Sequence, residues 1–483
     1  MSRVTYYEKM GYIYDLKHYQ NDGIFIGIWI GMRSKLARVA FAICLLYAII
    51  WIILDLGAGI TRHLEKHFAN DASRLNINVL SNRSSSFILK EDQLEEIADY
   101  FNITDEVDRF NLDVLLQHYE NFERDSTGNK SVLDMTPVRF LKDYKNPCWI
   151  ARNTNMSPNF HFRKANMSVT PKWVSEVGRS FGWKLRCLPY FYVVGMVKSG
   201  TSNLFRMISR NPEVATPLLK EYHWWSYLRA LNTKDHNRKP LPLSDYVNAF
   251  EGMAVNIRKS QMKGMQKITG EASASTAWWT GLEKWDRHKG PKRTNGHYIA
   301  HIQPNAKIIF ILRNPVDRLY SEYMFFSTNL PKSPEDFHSK AIIAITEFQR
   351  CLKSGVTLRA CVYEKNIKNL REVGYPWLRL HIGVYYVVVE EWIRLFGHEH
   401  VLVVNTHVMD ETMPRLFSFL QCSNTTHVAG LERIRKQRKP HLQAVGPMLN
   451  TTRELLTKFY TPFNKKLASL LHDNSFLFNM DMT

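Results

Sequence analysis

Residues 189–209 read PYFYVVGMVKSGTSNLFRMIS, and three textures succeed one another within them. Tyr190 to Gly195 is a short, almost wholly apolar run rich in aromatic and β-branched residues, the pattern of a strand buried on both faces. Gly195 to Ser202 then brings two glycines, Lys198 and three hydroxyl side chains, Ser199, Thr201 and Ser202. From Ser202 to Ser209 the apolar residues recur at helical spacing. A strand passing through a glycine loop into a helix gathers backbone N–H groups and the positive end of the helix dipole at one point, which suits a phosphate. It is not a Walker A loop, because Lys198 precedes the second glycine instead of following it. Alone, such a loop would often be an ordinary turn. The strand-loop-helix setting favours the anion.

Outward from this stretch the pattern repeats. Lys307 to Leu312 (KIIFIL) is a second buried strand, followed by Arg313-Asn314-Pro315-Val316-Asp317-Arg318-Leu319-Tyr320-Ser321 at the opening of another helix. Arg313 at the strand end can hold a phosphate with two parallel hydrogen bonds, and Ser321 can reach the same anion. The alternative is a capped helix start with Asp317 and Arg318 as a surface pair. Val401 to Val404 (VLVV) is a third strand, preceded by an apolar-faced helix from Gly383 to Phe396. Strands alternating with helices predict an α/β fold, a P-loop-like, mainly parallel central sheet flanked by helices.

The N-terminal region carries a different signal. Val39 to Leu54 (VAFAICLLYAIIWIIL) is free of charge, and apolar character resumes beyond Asp55 to Ile60. Such a run is long enough to cross a hydrocarbon core of ~30 Å as a helix. Arg33, Lys35 and Arg38 precede it, so the positive-inside rule leaves the N-terminus in the cytosol. The expected order is a cytosolic tail over 1–38, a transmembrane signal-anchor over 39–60, a lumenal stem over 61–145 and a catalytic domain over 146–483. Asn82, Asn102, Asn129, Asn155, Asn166, Asn424 and Asn450 each begin an N-x-S/T sequon, and none lies in the tail. Beyond Cys44 in the span, five cysteines would face an oxidising lumen. Five is odd, so one thiol at least is free or pairs between chains. Cys351 with Cys361 can close a short loop, Cys148 with Cys187 is the second expected pair, and Cys422 remains open to being a buried thiol.

Composition sets the remaining limits. The 483 residues are 45% hydrophobic, ample for a large core, and 64 Lys and Arg against 45 Asp and Glu leave a net charge of +19. That excess calls for an anionic partner. Nucleic acid is disfavoured, because the basic body would lie across the membrane from it. The run Lys284-Trp285-Asp286-Arg287-His288-Lys289 with Lys292-Arg293 can clamp a sulfated glycan or only keep the surface soluble.

Together the two anion loops resemble those of Golgi carbohydrate sulfotransferases. So do Arg186-Cys187-Leu188-Pro189-Tyr190-Phe191, Lys220-Glu221-Tyr222-His223-Trp224-Trp225, Gly270-Glu271-Ala272-Ser273-Ala274-Ser275, Gln303-Pro304-Asn305-Ala306-Lys307, Arg359-Ala360-Cys361-Val362-Tyr363 and the closing Phe459-Tyr460 segment. The nearest branch is that of the N-acetylgalactosamine 4-sulfate 6-O-sulfotransferases. The resemblance implies a sulfotransferase fold and 3′-phosphoadenosine 5′-phosphosulfate (PAPS) as donor. It implies a sulfated glycosaminoglycan such as chondroitin or dermatan sulfate as acceptor, a Golgi type II membrane location and no bound metal. Lys198, Ser199, Gly200, Thr201 and Ser202 would hold the 5′-phosphosulfate, Arg313 and Ser321 the 3′-phosphate. Lys436 and Arg438 would close over the donor, although Gln437 replaces the family's glycine.

Glu221 is the expected general base, with His223 as rival base or partner and with a plain Lys220–Glu221 ion pair as the bland alternative. Val197 stands where proline is common, Ser202-Asn203 replaces the usual pair, and an acidic residue is missing near Asn405-Thr406-His407. A non-catalytic, membrane-anchored glycan binder and an acceptor such as heparan sulfate are the competing readings; a homodimer is left open.

Overall fold

The computed structural model describes residues 89–127, 130–153, 182–217, 219–229, 241–278, 285–326, 332–363, 378–423 and 445–478. The expected membrane helix over 39–60, Lys436 and Arg438 lie outside them, as do the sequons at Asn82, Asn129, Asn155, Asn166 and Asn424. Among the described residues no helix is long and apolar enough to cross a membrane.

Among the described residues three helices come first, α1 (Glu91–Tyr100), α2 (Glu106–Phe110) and α3 (Leu112–Thr127), then β1 (Cys148–Arg152) and β2 (Trp183–Cys187), which pair antiparallel. The central sheet is built from β3 (Phe191–Gly195), β4 (Gly270–Glu271), β7 (Lys307–Leu312) and β8 (Val401–Asn405) in the order β4-β3-β7-β8. Every pairing in it is parallel, as expected. Between these strands run α4 (Thr201–Ile208), α5 (Leu243–Asn248), α6 (Glu251–Gln261), a small hairpin of β5 (Trp285–Asp286) and β6 (Gly290–Pro291), and α7 (Asn295–Ile302). After β7 come α8 (Pro315–Phe326), α9 (Pro334–Lys353), α10 (Leu358–Tyr363) and α11 (Tyr385–Phe396), and after β8 α12 (Met409–Phe419) and α13 (Asn450–Leu471).

Both faces of the sheet are covered, which is why its strands are continuous apolar runs instead of alternating ones. Side chains at alternate positions go to opposite cores. Phe191, Val193, Ile309, Ile311, Leu402 and Val404 pack with α4 and α12. Tyr192, Val194, Ile308, Phe310 and Leu312 pack on the other side with α7, α8, α11 and α13. Each such side chain contributes roughly 1.5–3 kcal/mol on burial. At the short strand β4, Gly270 lets Phe191 close in: a Cβ there would sit 2.2 Å from its ring.

Residues 89–145, expected as part of a stem, belong to the same compact unit as the sheet. Helix α3 buries Leu112, Leu115, Leu116, Tyr119 and Phe122, and Phe122 meets Trp149 of β1 edge to face with ring centroids 5.4 Å apart. Trp149 Nε1 also donates to Glu123 Oε1 at 2.8 Å. The polar face of α3 disguised an amphipathic helix whose partner strand follows it in the chain. The cysteines pair as expected, Cys148 with Cys187 across β1–β2 and Cys351 with Cys361, leaving Cys422 as a buried thiol.

Candidate active site

The loop after β3 is tied to the next strand at both ends. Met196 N donates to Ile311 O at 2.9 Å, and the hydroxyl of Thr406, just past β8, lies 2.7 Å from Ser199 O and 2.8 Å from Leu312 O. Gly200 precedes α4 with φ +103°, a left-handed conformation that favours glycine. The first turn of α4 carries no acidic side chain, so the dipole at Thr201 faces no built-in anion. Thr201 and Ser199 are buried, Lys198 and Gly200 half-buried, and Ser202 exposed.

Because β7 lies beside β3, the second loop opens next to the first. Lys198 Nζ sits 3.7 Å from the centre of the Phe325 ring on α8. Ser321 lies four residues before Phe325, on the same helix face. Arg313, directly after β7, is half-buried, and its carbonyl accepts a hydrogen bond of 2.9 Å from Tyr385 OH. The structure therefore brings Lys198, Ser199, Gly200, Thr201, Ser202, Arg313 and Ser321 to the carboxyl ends of two adjacent parallel strands, where α/β folds bind their ligands.

A second group stands beside them. Lys220 Nζ touches Glu221 Oε1, donates to Ala272 O at 3.1 Å and lies 3.5 Å from Thr201 Oγ1. Glu221 Oε2 is 3.0 Å from His223 Nε2. His223 is fixed from behind, with Nδ1 at 2.8 Å from Ser275 Oγ and its backbone N–H donating to Ser273 Oγ at 2.8 Å. Burial, followed by the nearby Lys220 charge, pushes the His223 imidazole down to about 3. It is neutral near pH 7. Glu221 thus pairs with Lys220, and Lys220 in turn reaches Thr201 of the loop after β3.

Glu271, at the end of β4, is the carboxylate that burial desolvates most visibly. It is 1% exposed, takes hydrogen bonds from Ser273 Oγ and from Tyr246 OH, the latter at 3.2 Å, and burial pushes it up to about 7. Trp224 and Trp225 pack against each other and on Tyr246 with ring centroids 4.8, 5.2 and 5.3 Å apart. Burial likewise draws Lys220 below the usual lysine range, against the raising pull of the Glu271 charge.

Three residues here were not singled out for these roles from sequence: Lys220 as the link to Thr201, Glu271 as a buried carboxyl, and Thr406 as the staple of the loop after β3. Glu271 was visible only inside a longer motif, and Thr406 only as a departure from it.

The model of the Sulfotransferase family matches residues 189–371, a span containing both anion loops. Carbohydrate sulfotransferase 15 of Homo sapiens is 31% identical over 381 residues, 71% of this chain and 67% of that protein. The Mus musculus protein of the same name is 32% identical over the same shares. Membrane-associated sulfotransferase kil1 of Dictyostelium discoideum is 29% identical over 142 residues, 29% of this chain and 24% of that one. A solved sulfotransferase from Alicyclobacillus acidocaldarius, 22% identical, aligns at a TM-score of 0.38 over 61% of this chain and 100% of that one.

Proposed function

Since this chain belongs to the sulfotransferase family, as a carbohydrate sulfotransferase, we propose that it moves a sulfuryl group from PAPS to a hydroxyl of a sulfated glycosaminoglycan, C6 of N-acetylgalactosamine 4-sulfate in chondroitin or dermatan sulfate. The observation that carries this reading is the side-by-side placement of two anion loops at the ends of β3 and β7, with Glu221 joined to the first of them through Lys220.

The residues fit a doubly phosphorylated donor. The N-terminus of α4, with Thr201, Ser202 and Lys198, would hold the 5′-phosphosulfate; Arg313 and Ser321 would hold the 3′-phosphate. Lys436 and Arg438 would add two further charges. Glu221 takes the proton from the acceptor hydroxyl as its oxygen bonds to sulfur and the bond from sulfur to the bridging phosphate oxygen breaks. Lys198 offsets the charge that develops on the leaving nucleotide. By analogy with phosphoryl transfer, positioning and electrostatics supply most of the rate.

The protein works in the Golgi lumen, anchored as a type II membrane protein by the helix over 39–60. Two disulfides in the folded body are in keeping with an oxidising compartment. The test is incubation of the lumenal body with labelled PAPS and separate chondroitin, dermatan, heparan and keratan acceptors, followed by disaccharide analysis. Label in 4,6-disulfated N-acetylgalactosamine is expected. Label confined to heparan products would overturn the acceptor, and full activity of Lys198→Ala would overturn the mechanism.

A further inference from the structure

The β5–β6 hairpin is a basic surface built to hold its shape. Arg287, His288, Lys289, Lys292 and Arg293 fall within seven residues, and all five are exposed. The acid in the hairpin is occupied internally: one oxygen of Asp286 accepts from the backbone N–H groups of His288 and Lys289, both at 2.9 Å. From below, Arg359 donates to Lys289 O at 3.0 Å and to Pro291 O at 2.7 Å while pairing with the buried Glu391 at 2.8 Å. Thr357 holds His288 O through its N–H and its hydroxyl. Gly290, at φ +86°, lies so close to Ala360 that a Cβ would stand 3.0 Å from its Cα. The helix making these contacts, α10, is bound to α9 by the Cys351–Cys361 disulfide. Cationic side chains on such a braced turn lose little backbone freedom when a polyanion binds.

The hairpin is also coupled to the candidate site. It leads directly into α7, whose Asn295 Nδ2 donates to Thr276 O at 3.0 Å, in the same segment as Ser273 and Ser275 behind His223. We propose that this hairpin is an exosite for the acceptor chain, binding sulfate groups of sugars beyond the one that reacts. This rests on the activity proposed above, because such a site is useful only to an enzyme whose acceptor is a polymer.

The test neutralises the patch in the full chain with Arg287→Gln, Lys289→Gln, Lys292→Gln and Arg293→Gln together. Turnover is compared on a sulfated tetrasaccharide and on a long chondroitin sulfate chain. The variant should keep the wild-type kcat and the KM for the tetrasaccharide, which also shows that it folds, while its KM for the long chain rises about tenfold. Equal losses on both acceptors, or no change on either, would overturn the exosite. A second arm needs no turnover: binding to immobilised chondroitin sulfate is measured across a salt series, and the variant should bind more weakly with a shallower salt dependence. Unchanged binding there overturns the exosite even if the chain proves to sulfate something else. An absence of turnover by the wild type with that binding difference intact would overturn only the proposed activity. Loss of binding to vesicles of anionic lipid, with chondroitin binding unchanged, would assign the hairpin to a membrane surface and overturn the proposal.

Discussion

Oε2 of Glu221 lies 3.0 Å from Nε2 of His223, a carboxylate and a neutral imidazole facing one another beside the donor loop. Under the proposed mechanism the carboxylate takes the proton of the sugar hydroxyl, and the histidine orients it. Glu221→Gln should therefore lower kcat by about 10²–10⁴-fold, with binding of the product nucleotide retained. His223→Asn should cost about tenfold, the loss of an orienting contact. Steady-state kinetics with calorimetric titration of the nucleotide checks both. A His223→Asn variant as crippled as Glu221→Gln would give the base role to histidine.

Lys220 touches both Thr201, on the donor side of the proposed site, and Glu221, its proposed base. Its removal should show in both substrates. Hydrogen bonds to charged groups contribute about 1.5–3 kcal/mol, so Lys220→Met should lower kcat/KM by roughly 10–100-fold, and KM for the donor should rise along with the fall in kcat. Lys220→Arg should recover part of the donor affinity. A change in kcat alone would confine Lys220 to the base.

Glu271 makes a prediction about pH and stability. Its carboxyl stands at about 7 in the fold against an ordinary 4.5, because burial disfavours the charged form. The folded state then binds the proton more tightly than the unfolded chain, so stability from this group is fully present below pH 4.5 and is lost as pH rises through 7. Glu271→Gln removes the titration, along with the pull of the Glu271 charge on Lys220. Urea unfolding of both proteins across pH 4 to 8 should show the wild type losing stability relative to the variant over that window; a difference independent of pH would mean that burial does not shift the Glu271 carboxyl from its ordinary value.

The disulfides differ in what they close. Cys148 and Cys187 are 39 residues apart, Cys351 and Cys361 only 10. Loop entropy assigns about 4 kcal/mol to the longer and about 3 kcal/mol to the shorter. Paired Cys→Ser variants should rank in that order in urea unfolding. The Cys422 thiol, pushed up to about 11 mainly by burial, should alkylate slowly until the protein unfolds.

The sheet and both anion loops were legible in sequence for a shared reason. Strands covered on two faces, such as Lys307–Leu312, must be apolar throughout, and a glycine loop between strand and helix leaves a local mark. Helix α3 was harder to place, because only one stripe from Leu112 to Phe122 is apolar and its partner Trp149 lies beyond a polar connection. Glu271 was illegible as a buried charge for a stricter reason. Its burial comes from the pairing of β4 with β3, which sets it opposite Tyr192, and no local pattern states which strands will be neighbours. Lys220 meets Ala272 through a contact equally distant in sequence, with Ala272 N donating to Lys220 O at 3.1 Å.

Thr406 carries the last prediction. Its hydroxyl lies between the carbonyls of Ser199 and Leu312, at 2.7 and 2.8 Å, so it ties the loop after β3 to the strand that ends at Leu312. The bond is neutral and part-buried, and one such bond contributes about 1 kcal/mol. If it only stabilised the fold, Thr406→Val would lower the unfolding free energy by about that amount and leave the donor KM alone. As a staple of the loop it should also weaken the donor, raising its KM by about fivefold with the KM for the acceptor unchanged. Thr406→Ser keeps the hydroxyl and should behave as the wild type. The two outcomes separate in one experiment that reads both KM values and the urea midpoint, and an unchanged donor KM in Thr406→Val would reduce Thr406 to a packing residue.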